Sequence, residues 1–177
     1  MHHAFRTPPQ HAATLERAAA ALAARFSRHV PGEQDGWLIL TRSDRPIAVW
    51  DLKEKIAADT PEQEAKRIEL AQALAAAGLA VTLPSDAYMV FFAEIPANPT
   101  TPRYTVVEDD NSGLGSLFGS PHLVMDTWTK VHVATTRTPE EAIQRCADFT
   151  RAQNALDAQV ASGSLPAGSY CDPNISA

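Results

Sequence analysis

The chain has 177 residues and a formal net charge of −6, and although 45% of its residues are hydrophobic, 31 of them are alanine. No run approaches the roughly 18 apolar residues that a membrane-spanning helix needs. Acidic residues outnumber basic ones, 21 to 15, which argues against binding nucleic acid through bulk positive charge. The length fits one domain with a real but alanine-rich core.

The expectation is a single α+β domain over residues 1–161, a mixed β-sheet of about five to six strands with three helices packed on it, followed by a flexible tail over 162–177. Met1 to Pro8 has no apolar centre of the secretory-signal kind. The two cysteines, Cys146 and Cys171, form neither a disulfide framework nor a zinc-ligand spacing. Both points set the expected compartment as cytoplasmic. Eleven Arg against four Lys, with abundant Ala and Pro, suggest a GC-rich bacterial genome.

Three helix starts share one pattern. Thr7-Pro8-Pro9-Gln10, Thr60-Pro61-Glu62-Gln63 and Thr138-Pro139-Glu140-Glu141 each place Thr at an N-cap, Pro at the first helical position and Gln or Glu three residues on. The first helix is expected from about Pro9 to Ser27, with Leu15, Ala18, Leu22 and Phe26 on one face. Trp37–Arg42 and Pro46–Trp50 flank Ser43-Asp44-Arg45 and read as a hairpin. The second helix spans about Pro61 to Ala77 and stops at Gly78, a residue that accepts positive φ without strain. Leu79–Leu83 then reads as a strand, and the apolar run Tyr88–Ile95 as a central strand buried on both faces. Pro96 to Pro102 is a stiff connector, Arg103–Val107 a strand, and Glu108 to Gly119 a long loop. His122–Thr135 reads as one long strand, and the third helix runs from Pro139 to Ala161, ending at Ser162-Gly163.

Two groups of residues could carry chemistry. Asp35 opens the first hairpin strand, while Asp51-Leu52-Lys53 leaves the second. Two carboxylates on neighbouring strands can hold Mg²⁺, and an adjacent Lys can polarise a water. With the helix and strand that follow, this order resembles the PD-(D/E)xK nucleases over roughly Pro9 to Leu83, though Gln34 stands where that family has proline. The resemblance implies Asp35 and Asp51 as metal ligands and Lys53 as the catalytic lysine.

The other group lies on the expected long strand. Alternation there would put Asp126, Trp128, Lys130 and His132 on one face, a recognition surface of acid, indole, ammonium and imidazole. The loop carrying Glu108, Asp109 and Asp110, with Phe118 as an apolar tip, would add to it. Its glycines, Gly113 to Gly119, follow three acids and precede no Lys, so they do not make a phosphate cradle.

The first half, residues 1–83, is electrically neutral, and the entire −6 falls on residues 84–177. The leading expectation is therefore a non-enzymatic interaction or regulatory module of inhibitor, immunity or adaptor type. It would bind a protein partner of basic character through its acidic second half, without cofactor or metal. The alternative is the Mg²⁺-dependent nuclease, with nucleic acid as its partner.

Overall fold

A computed structural model describes residues 11–42, 45–51, 61–84, 89–98, 100–108 and 122–165, with the side chains of Arg42, Asp51 and Glu108 excepted. The first two capping boxes begin outside these residues, as do the hairpin tip at Ser43-Asp44, Tyr88, the Gly113–Gly119 loop and the tail beyond Leu165. In chain order the elements are α1 (Ala12–Ala23), β1 (Gly36–Arg42), β2 (Arg45–Asp51), α2 (Pro61–Ala76), β3 (Leu79–Thr82) and β4 (Val90–Glu94). They continue with β5 (Tyr104–Glu108), β6 (His122–Asp126), β7 (Val131–Thr136) and α3 (Pro139–Ala161). None of the described helices is long and apolar enough to cross a membrane.

The α+β class is as the sequence leads one to expect, but the strands divide differently. Among the described residues, seven strands form two antiparallel sheets, one ordered β1-β2-β4-β3 and the other β5-β6-β7, in place of one mixed sheet. β1–β2, β5–β6 and β6–β7 pair with their neighbours in sequence, and such local connections generate antiparallel ladders, whereas parallel pairing needs a long crossover. β4 is central, pairing with β2 on one side and β3 on the other. Its residues alternate between buried and partly buried, so it is not covered evenly on both faces.

Each sheet has its own core. In the first, Ala18 and Leu22 of α1 and Leu70, Ala71 and Leu74 of α2 pack on Trp37, Ala48, Val81, Val90 and Phe92. The small alanines let both helices approach the sheet closely, where a burial of this kind contributes roughly 25 cal/mol per Å² of apolar surface. In the second, Tyr104, Val124, Val133, Ala142 and Phe149 pack together, with the Tyr104 and Phe149 rings 5.4 Å apart.

The helix ends follow local chemistry. Thr138 accepts a hydrogen bond from the Glu141 amide at 3.2 Å, and the Glu141 carboxylate accepts one from the Arg137 amide at 3.0 Å. Gly78 has φ of 76°, which turns the chain from α2 directly into β3. α1 is shorter than its apolar spacing suggests. Past Ala24 the chain must reach β1, where the Ser27 carbonyl accepts from the Trp37 amide and the His29 amide donates to the Trp37 carbonyl.

α1 is also tied to β4. Thr14 donates to Glu94 at 2.9 Å, and Arg17 forms an ion pair with the same carboxylate. The Arg17 hydrogen bond first, and the Thr14 hydroxyl with it, hold the Glu94 carboxyl below the usual range against the opposing effect of burial. A group whose folded pKa is lowered stabilises the protein above its unfolded pKa and ceases to do so as pH falls through the folded one. Glu94→Gln is therefore expected to lower stability at pH 7 by less than about 1 kcal/mol, because the pair is solvent-screened. In denaturant titrations the difference from the native protein should shrink towards zero near pH 3.

Candidate functional site

Arg103 stands between the stiff Pro-rich connector and β5, and its side chain is 12% exposed. The guanidinium donates from Nε to Asp126 Oδ2 at 3.0 Å, and Nη2 lies 2.9 Å from the same oxygen. Nη2 also donates to the Val81 carbonyl at 2.8 Å, and Nη1 donates to Gln153 Oε1 at 2.7 Å. The Trp128 and Tyr104 rings flank the guanidinium, with centroids 4.8 and 5.3 Å away. Asp126 is fully buried at 0% exposure and receives a further hydrogen bond from Thr82 at 2.8 Å. Thr82 in turn lies 2.6 Å from the Thr129 hydroxyl.

This cluster joins the two halves of the domain. Thr82 and Val81 belong to β3, the edge strand of the first sheet, whereas Asp126 ends β6 of the second sheet, Arg103 directly precedes β5 and Gln153 lies on α3. The Arg103 contact to the Val81 carbonyl occupies an edge group that another chain could otherwise pair with. The Arg103–Asp126 pair is a structural clamp, since both charges are saturated by protein contacts.

A more accessible feature lies beside β5. This strand is the outer member of its sheet, and an apolar groove of about 590 Å³ runs between it and α3. Pro102, Tyr104 and Val106 form one wall, and Ile143, Cys146 and Ala147 form the other. Ile143 is 62% exposed, a large apolar side chain that the described residues leave mostly uncovered. Cys146 donates from Sγ to the Tyr104 carbonyl at 3.2 Å, and burial pushes its thiol pKa up. It thus stays protonated at neutral pH and serves as apolar wall, since the thiolate is the reactive form. Arg151 at the rim is paired with Asp148 at 3.0 Å.

The residues singled out from the sequence fare differently. Asp126, Trp128, Lys130 and His132 do not form a shared face. β6 ends at Asp126, Thr127–Lys130 is a turn, and β7 starts at Val131. The Asp126 Oδ1 accepts from the Trp128 amide at 3.0 Å, a local bond that competes with strand extension, and Lys130 closes the turn at φ of 56°. Asp126 and Trp128 belong to the clamp, whereas Lys130 and His132 are exposed. Glu108 ends β5, the strand that forms the groove, but its side chain lies outside the described residues, as do Asp109, Asp110 and Phe118 altogether. The ladder sets Gly36 opposite Asp51, one position from Asp35. The Asp51 carboxylate and Lys53 fall outside the described residues. Among the described residues, no group of three His, Cys, Asp or Glu could hold a metal ion.

Sequence reasoning missed Arg103, Thr82 and Gln153. One pointer was present: an Arg between a proline-rich connector and an apolar strand has to be satisfied if it is carried inward. Comparison of the chain with protein-family models, with curated proteins and with solved structures finds no match.

Proposed function

We propose that the protein is a non-enzymatic binding module that captures an extended segment of a partner protein along the outer edge of β5. The observation that carries this reading is the apolar groove between that edge and α3, with Ile143 standing exposed on its wall. A strand laid there would receive main-chain hydrogen bonds from β5, while its alternate side chains would enter the groove. The acidic second half of the chain complements a segment whose apolar residues are interspersed with Lys or Arg.

Selection of a displayed random-peptide library against the full chain tests this. Enriched peptides should alternate apolar and basic residues, and Ile143→Ser should weaken their binding about tenfold or more while leaving the fold intact. Enrichment of acidic peptides, or equal binding to both proteins, would overturn the proposal.

A second reading, the Mg²⁺-dependent nuclease, draws support from the ladder position of Gly36 opposite Asp51, next to Asp35. It needs both carboxylates within about 8 Å to share one ion with oxygen ligands at about 2.0–2.6 Å. Mg²⁺-dependent plasmid nicking that disappears in Asp51→Ala would establish it in place of the binding reading.

A further inference from the structure

Two contacts fix which backbone groups of β5 face its outer edge. The Thr127 amide donates to the Arg103 carbonyl at 2.7 Å, and these two residues continue the register that sets Tyr104 opposite Asp126. Arg103 and Thr127 are therefore a hydrogen-bonded pair of the antiparallel ladder, and such pairs alternate with non-bonded ones. Thr105 and Val107 then face β6, while Tyr104, Val106 and Glu108 turn their backbone N–H and C=O outward. Cys146 agrees independently. Its Sγ, on α3, donates to the Tyr104 carbonyl at 3.2 Å, as a carbonyl turned away from β6 allows.

The outer edge is thus unequal along its length. At Tyr104 the acceptor is already taken by the Cys146 thiol. Val106 is the first residue of β5 whose outward N–H and C=O enter no bond among the described residues. Its side chain packs beside Tyr104 and Cys146 on the α3 side of the sheet. A partner residue directly opposite Val106 shares that face, so its side chain enters the groove between Val106 and Ile143.

From this geometry we infer that strand capture at β5 is locked in register. Cys146 caps the Tyr104 carbonyl and leaves Val106 as the centre of pairing, so the partner segment needs one apolar residue, the one opposite Val106. The segment runs antiparallel, which lets that one residue exchange two hydrogen bonds with Val106 and is the more stable pairing per residue. Cys146 acts here as a positioning residue. The amides of Thr105 and Val107 are already in the β6 ladder, and a captured strand slows their exchange by suppressing local opening. Register lock presupposes the capture proposed above and adds its alignment.

The test titrates the full chain with the peptide acetyl-Lys-Thr-Lys-Val-Lys-Thr-Lys-amide and with forms in which one amide is replaced by an ester, which removes an N–H without adding bulk. An ester at the central valine removes the donor to the Val106 carbonyl and should weaken binding about tenfold or more. An ester at the threonine nearer the C-terminus, which lies opposite Tyr104, should change it less than about twofold, because that carbonyl is capped. In Cys146→Ala this second ester should cost about threefold or more, whereas Cys146→Ser, which keeps a donor, should behave as the native protein. Equal sensitivity to both esters in the native protein, or no change in Cys146→Ala, would overturn the register lock and leave capture standing. Absence of any peptide binding would overturn both. Two proline variants test the direction of the β5 backbone groups apart from any peptide. Val106→Pro should fold, since its N–H lies outside the ladder, whereas Thr105→Pro should melt at a clearly lower temperature because it removes a bond to β6. The reverse order of stability would overturn the inference.

Discussion

Asp126→Ala is expected to destabilise the protein by about 3–5 kcal/mol, the range for removing one partner of a buried ion pair. The reason is the charge left behind. Arg103, only 12% exposed, would lose the carboxylate that accepts from its Nε and Nη2, and Thr82 would lose its acceptor. At roughly 2–4 °C per kcal/mol for a chain of this size, the melting temperature should fall by about 6–20 °C. The double variant Arg103→Met/Asp126→Leu should recover a large part of the loss, because apolar replacement of a whole buried pair is often neutral. Recovery should be incomplete, since the Val81 carbonyl and Gln153 also accept from Arg103. Urea denaturation of Asp126→Ala, of the single variants Arg103→Met and Asp126→Leu and of the double variant checks both statements. Strict additivity of the single effects would show that the pair is not coupled.

Gly36→Ala is expected to cost about 3 kcal/mol, at the upper end of overpacking effects, because the site has no room even for a methyl group. A Cβ built at Gly36 would lie 2.4 Å from the His29 amide nitrogen and 2.5 Å from both the Arg28 carbonyl carbon and the Ser27 oxygen. All three are backbone atoms, so no side-chain rotation relieves the overlap. The chain between α1 and β1 would have to move, which would break the exchange of hydrogen bonds between Ser27, His29 and Trp37. Trp37 packs in the first core, and its indole donates to the Phe26 carbonyl at 3.1 Å, so the disturbance should spread to α1. Thermal denaturation followed by near-ultraviolet circular dichroism reads both the stability and the Trp37 environment. An unchanged melting temperature would contradict this account of the turn.

Local chemistry in the sequence made some features legible and left others hidden. The Thr138-Pro139-Glu140-Glu141 start, the Gly78 stop and the Trp37–Trp50 hairpin follow from side-chain-to-backbone bonding and short-range pairing, which act within a few residues. The division into two sheets was hidden, since it depends on β5 pairing with β6 and not with a strand of the first half, and strand order leaves no periodic trace. Asp126 was misread for a related reason. Apolar alternation on either side of Asp-Thr-Trp-Thr-Lys is equally compatible with one long strand or with two strands and a tight turn, and the Asp126-to-Trp128 amide bond decides for the turn. Gly36 carried no signal, because its requirement comes from a segment that folds back over it. The groove was only partly visible. Ile143 lies off the apolar stripe Ala142, Cys146 and Phe149 of α3, and its exposure becomes informative once the β5 edge is known to lie beside it.

Amide hydrogen exchange on the full chain, with and without a saturating selected peptide, tests capture at β5 most directly. The proposal predicts at least tenfold slower exchange for amides of Thr105, Val106 and Val107, with the β1–β2 hairpin unchanged. Peptide binding that leaves β5 exchange unaltered, or that protects another edge such as β1, would contradict it.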